Sequence, residues 1–249
     1  MMTSPFSLEN KRILITGGAS GIGKATAKLC AQMGANVILA DINEQGLKQT
    51  AEEINEPRTE IHALDLTDDK QLEEMIVSLS KLDGVVSNAG IVYSMLAKFN
   101  ERADTEKIFH INTFSHFSLV QALINHKKFN KGASIVFTSS MSGVYCGLAG
   151  GSLYGATKSA LVGYSKALAL ELAPRGIRVN TVHPGMIQTP LAVNTSLSQD
   201  VLEEDKKNYP LGRYGKPEEV AAAMVFLLSD ATVWMTGTQL LIDGGYSLR

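Results

Sequence analysis

The chain has 249 residues, a formal net charge of -2, 45% hydrophobic and 19% charged residues, which are globular values that give no electrostatic reason to expect nucleic acid or an anionic membrane as partner. The longest unbroken apolar run, Val220 to Leu228, has nine residues, far short of the ~20 that span a bilayer, and Pro5, Glu9 and Asn10 break up the N-terminus, so no secretory signal is expected. One domain over residues 1–249 in the cytoplasm is the expectation. Cys30 and Cys146 make no disulfide framework, and the five histidines show no ligand spacing, so no metal site is expected.

Short β-branched runs alternate with helical patterns, which predicts an α/β protein with a parallel sheet covered on both faces. The first strand, Arg12 to Thr16, enters Gly17, Gly18, Ala19, Ser20, Gly21, Ile22 and Gly23, and a helix follows to about Met33. Such glycines permit a tight turn and let the backbone approach a pyrophosphate at the positive end of the helix. The second strand, Asn36 to Ala40, ends at Asp41, where a carboxylate is placed to accept from ribose hydroxyls. Asp41 also reads as the start of a turn, since Asn43 and Glu44 resemble a helix start. A third strand near Glu60 to Ala63 leads to Asp65, which either meets the adenine amino group or caps the helix after Thr67. The fourth, Gly84 to Ser87, delivers Asn88, Ala89 and Gly90 at the edge where open α/β sheets bind ligands; for Asn88 a structural and a contact role are equally open.

A helix is expected from about Asp104 to His126, with Asn112 inside it where asparagine has poor propensity. The strand Ser134 to Thr138 ends in Ser139 and Ser140, and a glycine-rich loop runs to Ser152. The next helix, to about Ala173, carries Tyr154 and Lys158 one turn apart on one face. An ammonium ~4 Å from a phenol favours the phenolate by roughly 4 kcal/mol at an effective dielectric of about 20, enough to let a tyrosine shuttle protons near neutral pH. Composition alone produces such spacings by chance, so the pair gains weight only from its surroundings. After the strand Arg178 to His183 come Pro184 to Thr189. A stretch without clear period, within about 186–210, suits a cover over the site. Pro217 opens a helix, and the last strand, Gln239 to Ile242, reaches Asp243, Gly244 and Gly245.

Thr16 with Gly17, Gly21 and Gly23, then Asp65, Asn88-Ala89-Gly90, Asn112, Ser140, Tyr154 with Lys158, Pro184-Gly185 and Asp243-Gly244-Gly245 occur in one order along nearly the whole chain. In this the sequence resembles the short-chain dehydrogenase/reductase (SDR) family. The resemblance implies a single Rossmann-type, doubly wound domain with a seven-stranded parallel sheet. It also implies a nicotinamide cofactor and a tetrad of Asn112, Ser140, Tyr154 and Lys158. Cofactor contacts are implied for Gly17, Ser20, Gly21, Ile22, Gly23, Asp41, Asp65, Leu66, Asn88, Ala89, Gly90, Tyr154, Lys158, Pro184, Gly185, Ile187 and Thr189. At the family's usual serine-to-tyrosine spacing this chain has Met141. Aligning on Gly143 selects Ser140 and implies one extra residue between Val144 and Ser152, with Ser139 as the alternative.

Lys158 is then expected to lower the Tyr154 pKa and hold the nicotinamide ribose, and Asn112 to hold a water that joins Lys158 to solvent. NAD(H) is expected over NADP(H), because Asp41 would oppose a 2′-phosphate and neither Ser20 nor Ile42 neutralises one. The leading expectation is oxidation or reduction of a secondary alcohol or ketone in a homotetramer or homodimer. Two alternatives are a 3-oxoacyl-[acyl-carrier-protein] reductase, with Lys127, Lys128, Lys131 and Arg175 as a basic patch, and a non-catalytic nucleotide-binding regulator. A mostly apolar substrate lining is expected from Tyr93, Met95, Tyr145, Leu148, Met186, Leu191 and Val193.

Overall fold

A computed structural model describes residues 4–56, 59–189 and 199–248. Seven parallel strands form one sheet: β1 (Arg12–Thr16), β2 (Asn36–Asp41), β3 (Glu60–Ala63), β4 (Leu82–Ser87), β5 (Phe129–Thr138), β6 (Arg178–Pro184) and β7 (Gln239–Ile242), in spatial order β3-β2-β1-β4-β5-β6-β7. Strand order reverses between β1 and β4, whose Ile13, Leu14 and Ile15 pair with Gly84, Val85 and Val86. A doubly wound sheet opens its ligand crevice at such a point, outside the carboxyl ends of the strands.

Side-chain alternation along the strands builds two cores. Leu14, Ile38, Val85, Ile135 and Val179 pack beneath α3 (Asp69–Ser78), α5 (Ser115–Asn125) and α6 (Ser152–Leu172). Ile13, Ile15, Val37, Leu39, Val86, Val136 and Val182 pack beneath α1 (Gly21–Gln32), α2 (Glu44–Ile54) and the C-terminal helix Pro217–Leu228. Apolar runs such as Arg12–Thr16 are continuous because both of their faces are covered. Cys30 lies fully buried in the second core.

The helix expected from Asp104 to His126 is interrupted. It is α4 (Arg102–Phe109), then one π turn over His110–Phe114, then α5. The widened turn holds Asn112, whose amide bonds outward to a loop; π turns of this kind concentrate at functional sites. Of the cover segment, residues 190–198, with Leu191 and Val193, lie outside the described residues; α7 (Gln199–Lys206) follows them, and the Pro217–Leu228 helix is α8. Among the described residues no helix is long and apolar enough to cross a membrane.

Candidate active site

A cleft of about 490 Å³ lies at the carboxyl edge of β1, β2 and β4, within the range of small-molecule sites. It runs from Asp41 and Ile42, past Ser20, Gly21 and Ile22, to Asn88, Ala89 and Gly90, and ends at Tyr154 and Lys158. Asp65, Leu66, Gly17 and Thr189 also line it. Two glycines have packing reasons to be there. Gly17 has φ +70°, and a Cβ on it would lie 2.8 Å from Asn88 Nδ2; a Cβ on Gly23 would lie 2.0 Å from the Gly17 carbonyl oxygen. The loop can therefore lie flat against β4 only without these side chains. Ser20 precedes α1 without capping it through its side chain, so the first-turn amides, with the positive end of the helix dipole, face an anion-binding position.

Asp41 Oδ2 accepts from the Ala19 amide at 3.1 Å and Oδ1 from the Asn43 amide at 3.0 Å. The carboxylate thus ties β2 to the glycine loop as well as lining the cleft. Asp65 lines the cleft and is not the cap of α3. It accepts from the Thr67 amide (2.8 Å) and hydroxyl (2.7 Å), while Asp68 caps α3. Asn88 donates to the Thr16 carbonyl at 3.2 Å and accepts from the Thr138 hydroxyl at 3.0 Å, joining β1, β4 and β5.

Some expected contacts fall elsewhere. Gly23 faces the loop rather than the cleft. Gly185 donates its amide to Ile242 and abuts Asp243, and Ile187 packs into the second core. Neither they nor Pro184 line the cleft; β6 lies two strands from β4 in the sheet, beyond β5. Residues of the lining that motif reasoning missed include Ile91, Ile111, Ser115 and Thr138. Ile111 and Ser115 flank Asn112 in sequence, but only the π turn and the start of α5 bring them to the wall.

Ser140 and Ser139 part company in the structure. Ser139 donates its hydroxyl to the Lys158 carbonyl at 2.9 Å and so is taken up by α6. Ser140 accepts from the Ser142 amide at 3.1 Å, and its side chain lies close enough to Tyr154 to favour the ionised phenol. The ammonium expected against the Tyr154 phenol is directed elsewhere: Lys158 Nζ donates to the Thr138 carbonyl at 3.0 Å. Burial pushes the Tyr154 phenol up, the nearby Ser140 hydroxyl opposes this, and Lys158 contributes no lowering. A buried carbonyl at the end of β5 wins the amine because leaving it unpaired costs ~1–3 kcal/mol. Asn112 Oδ1 accepts from the Ile91 amide and Nδ2 donates to the Ile91 carbonyl, both at 2.8 Å. Its side chain clamps the loop after Gly90.

Burial lowers the Lys158 ammonium from 10.5 to about 8. The depressed value means that its stability contribution is present in full above about pH 10.5, declines as pH falls, and is lost below about 8, because the unfolded chain then binds the proton that burial resists. Relative to Lys158→Met, the wild type should therefore gain about 3 kcal/mol of stability between pH 7.5 and 10.5. Melting temperatures of both proteins across that range check this, and a constant difference between them would contradict it.

A strand-order switch, a glycine loop at a helix N-terminus, a carboxylate at the tip of β2 and a Ser-Tyr-Lys group at the cleft's end together define a dinucleotide-binding oxidoreductase. Residues 17–247 match the family model described as enoyl-(acyl carrier protein) reductase. The chain belongs to the short-chain dehydrogenase/reductase family. It is 38% identical over 244 residues to the 3-oxoacyl-[acyl-carrier-protein] reductase FabG of Thermotoga maritima, covering 96% of this chain and 98% of that protein. It is 36% identical over 248 residues to the NAD-dependent glycerol dehydrogenase of Listeria innocua, covering 98% and 96%. Among solved structures, a 3-ketoacyl-(acyl-carrier-protein) reductase from Brucella melitensis complexed with NADH matches with a TM-score of 0.88 and 31% identity, over 97% of this chain and 100% of that one. A short-chain type dehydrogenase/reductase from Mycobacterium marinum matches at 0.89 and 34%, over 98% of each.

Proposed function

We propose that this protein is an NAD(H)-dependent oxidoreductase that interconverts a secondary alcohol and a ketone, with residues 1–249 acting as one catalytic unit in the cytoplasm. The observation that carries this reading is the meeting of Tyr154 and Lys158 at one end of a cleft that has Asp41 at its other end, with Ser140 close to Tyr154. The cleft fits a dinucleotide by its donor set: amides at the start of α1 for the phosphates, Asp41 for the adenosine ribose, and Tyr154 and Lys158 beside the nicotinamide ribose. Nicotinamide supplies the hydride chemistry. Tyr154 holds the proton given to the carbonyl oxygen during reduction, and Ser140 donates a hydrogen bond that favours negative charge there. Lys158, fixed by Thr138, brings positive charge to the same end of the cleft. Oxidation reverses the roles.

Support for the NAD(H) preference comes from Asp41 and from the two relatives whose names carry NAD or NADH. Tyr93, Met95, Tyr145 and Leu148 lie outside the cofactor cleft's lining and, with Met186, are the described part of the proposed substrate wall. A screen of alcohols and ketones followed by nicotinamide absorbance tests the reading; no turnover with any secondary alcohol or ketone would sink it. Assembly as a homotetramer or homodimer belongs to the same proposal, supported by Trp234, 97% exposed, and by Leu170 and Phe114 on the surface.

A second reading, a reductase of carrier-linked 3-oxoacyl groups, is favoured by the names of the relatives. The four basic residues expected to dock a carrier lie at the amino edge of the sheet, at the start of β5 and the end of α6, whereas Ser140 and Tyr154 lie at the carboxyl edge. Lys128 Nζ donates to the carbonyls of Val77 (2.9 Å) and Leu79 (2.5 Å), closing α3, and Arg175 donates to the Phe129 carbonyl at 3.3 Å. A carrier docked there is separated from its own chain's site by the length of β5, roughly 33 Å. Neutralising Lys127, Lys131 and Arg175, with Lys128 left in place, is expected to raise KM for a carrier-linked substrate and leave a small ketone unaffected if this reading holds. Equal effects on both substrates, or none, would remove the patch from the argument.

A further inference from the structure

Behind the Asn88-Ala89-Gly90 turn sits a buried histidine that the proposed reaction does not use. His116 is 2% exposed, in the first turn of α5. Its Nε2 lies 2.9 Å from the Ala89 carbonyl oxygen and its Nδ1 2.5 Å from Ser87 Oγ. A carbonyl only accepts, so Nε2 carries the proton and Nδ1 accepts from the Ser87 hydroxyl. Both ring nitrogens are thereby satisfied in the neutral form. Burial first, and then the positive charge of Lys158, push the imidazole down to about 3.

The turn is held from several sides. The Asn88 and Ala89 amides donate to Thr16 Oγ1 at 2.9 and 3.1 Å, and Asn112 holds both backbone groups of Ile91. His116 adds the contact from α5, and it addresses a carbonyl where Thr16 addresses amides. Asn88, Ala89, Gly90 and Ile91 all line the cleft, and a Cβ on Gly90 would lie 3.3 Å from Lys158 Nζ. The position of this backbone therefore sets the width of the cleft at its Lys158 end.

We propose that His116 is a positioning residue for cofactor binding: as the Nε2–H tautomer, it anchors the Ala89 carbonyl and so holds the Asn88-Ala89-Gly90 turn in its cofactor-accepting position. The proposal rests on reading the cleft as a dinucleotide site. Without the donor, the half-buried Ala89 carbonyl loses its partner and the turn rotates to regain one, at the expense of the cleft's shape.

The test is NADH titration by nicotinamide fluorescence, with melting temperatures, for wild type, His116→Leu, His116→Gln and Ser87→Ala. Glutamine places an amide N–H close to the position of Nε2, and leucine supplies no donor. The leucine variant is expected to raise Kd about tenfold, with kcat at saturating cofactor falling by less than about threefold. The glutamine variant should stay within about threefold of wild type in Kd, although it loses the Ser87 contact as leucine does. Ser87→Ala keeps the ring but removes the donor to Nδ1 that fixes the ring against β4, and should raise Kd by about threefold, which carries the test if the leucine variant fails to fold. An unchanged Kd in both His116→Leu and Ser87→Ala, or glutamine as damaging as leucine, overturns the proposal. Ring ¹⁵N shifts of His116 need no cofactor: a charged ring or a protonated Nδ1 anywhere between about pH 5 and 9 overturns it as well. A wild type that binds neither NADH nor NADPH would instead strike the dinucleotide reading itself.

Discussion

Tyr154→Phe is expected to lower kcat by at least about a hundredfold, while the Kd for NADH stays within about twofold of wild type. Phenylalanine keeps the ring that lines the cleft and removes only the hydroxyl beside Ser140. General acid-base catalysis by a positioned side chain contributes about 10²–10⁴, so a loss below tenfold would sink the acid assignment. The pH dependence has a determined sign. Burial pushes the phenol up, only partly opposed by Ser140, so the free enzyme holds this proton through neutral pH. That state suits reduction, where the group must donate; oxidation needs the deprotonated form, so its kcat/KM should rise with pH through the alkaline range. An alkaline rise of the same shape in Tyr154→Phe would assign the titration to another group.

Cofactor choice should be the second large effect, with kcat/KM about thirtyfold higher for NADH than for NADPH. Two like charges about 4 Å apart repel by roughly 1 kcal/mol in water and about 4 at an effective dielectric of 20, and a partly solvated rim lies between these limits. The nearest cations in sequence are already paired: Lys48 with Glu44 at 2.6 Å, Lys28 and Lys24 with Glu53 at 2.9 and 2.6 Å, and Arg12 beyond them with Glu60 at 3.0 Å. None is free to meet a phosphate beside Asp41. The structure also refines the choice of variant. Asp41→Ala would remove the acceptor of the Ala19 and Asn43 amides and so loosen the glycine loop for both cofactors. Asp41→Asn keeps the size and one carbonyl acceptor and removes the charge. It should bring the two cofactors to within about fivefold, chiefly by improving NADPH. A wild type that prefers NADPH, or an unchanged ratio in Asp41→Asn, would overturn the role given to Asp41.

The sequence by itself determined the sheet, the glycine loop and the edge at which ligands bind. Continuous apolar runs such as Arg12–Thr16 can be buried only on two faces, and each strand ends in small or polar residues, Gly17 and Asn88 among them, that its apolar interior cannot hold. Such signals are local, spanning one strand or one turn. What only the tertiary structure decided were the partners of individual polar atoms, since each is chosen by groups far away in the chain. Lys158 is one turn from Tyr154, yet its amine goes to Thr138, twenty residues earlier, because β5 ends there with a carbonyl that must be paired. Asn112 is spent on Ile91 through a π turn that no helical period announces. The same competition separates Ser140 from Ser139: adjacent in sequence and both at the end of β5, one is drawn to the Lys158 carbonyl of α6 and the other faces Tyr154. Spacing along a helix or strand sets which residues can meet, and the need to pair every buried donor and acceptor sets which of them do.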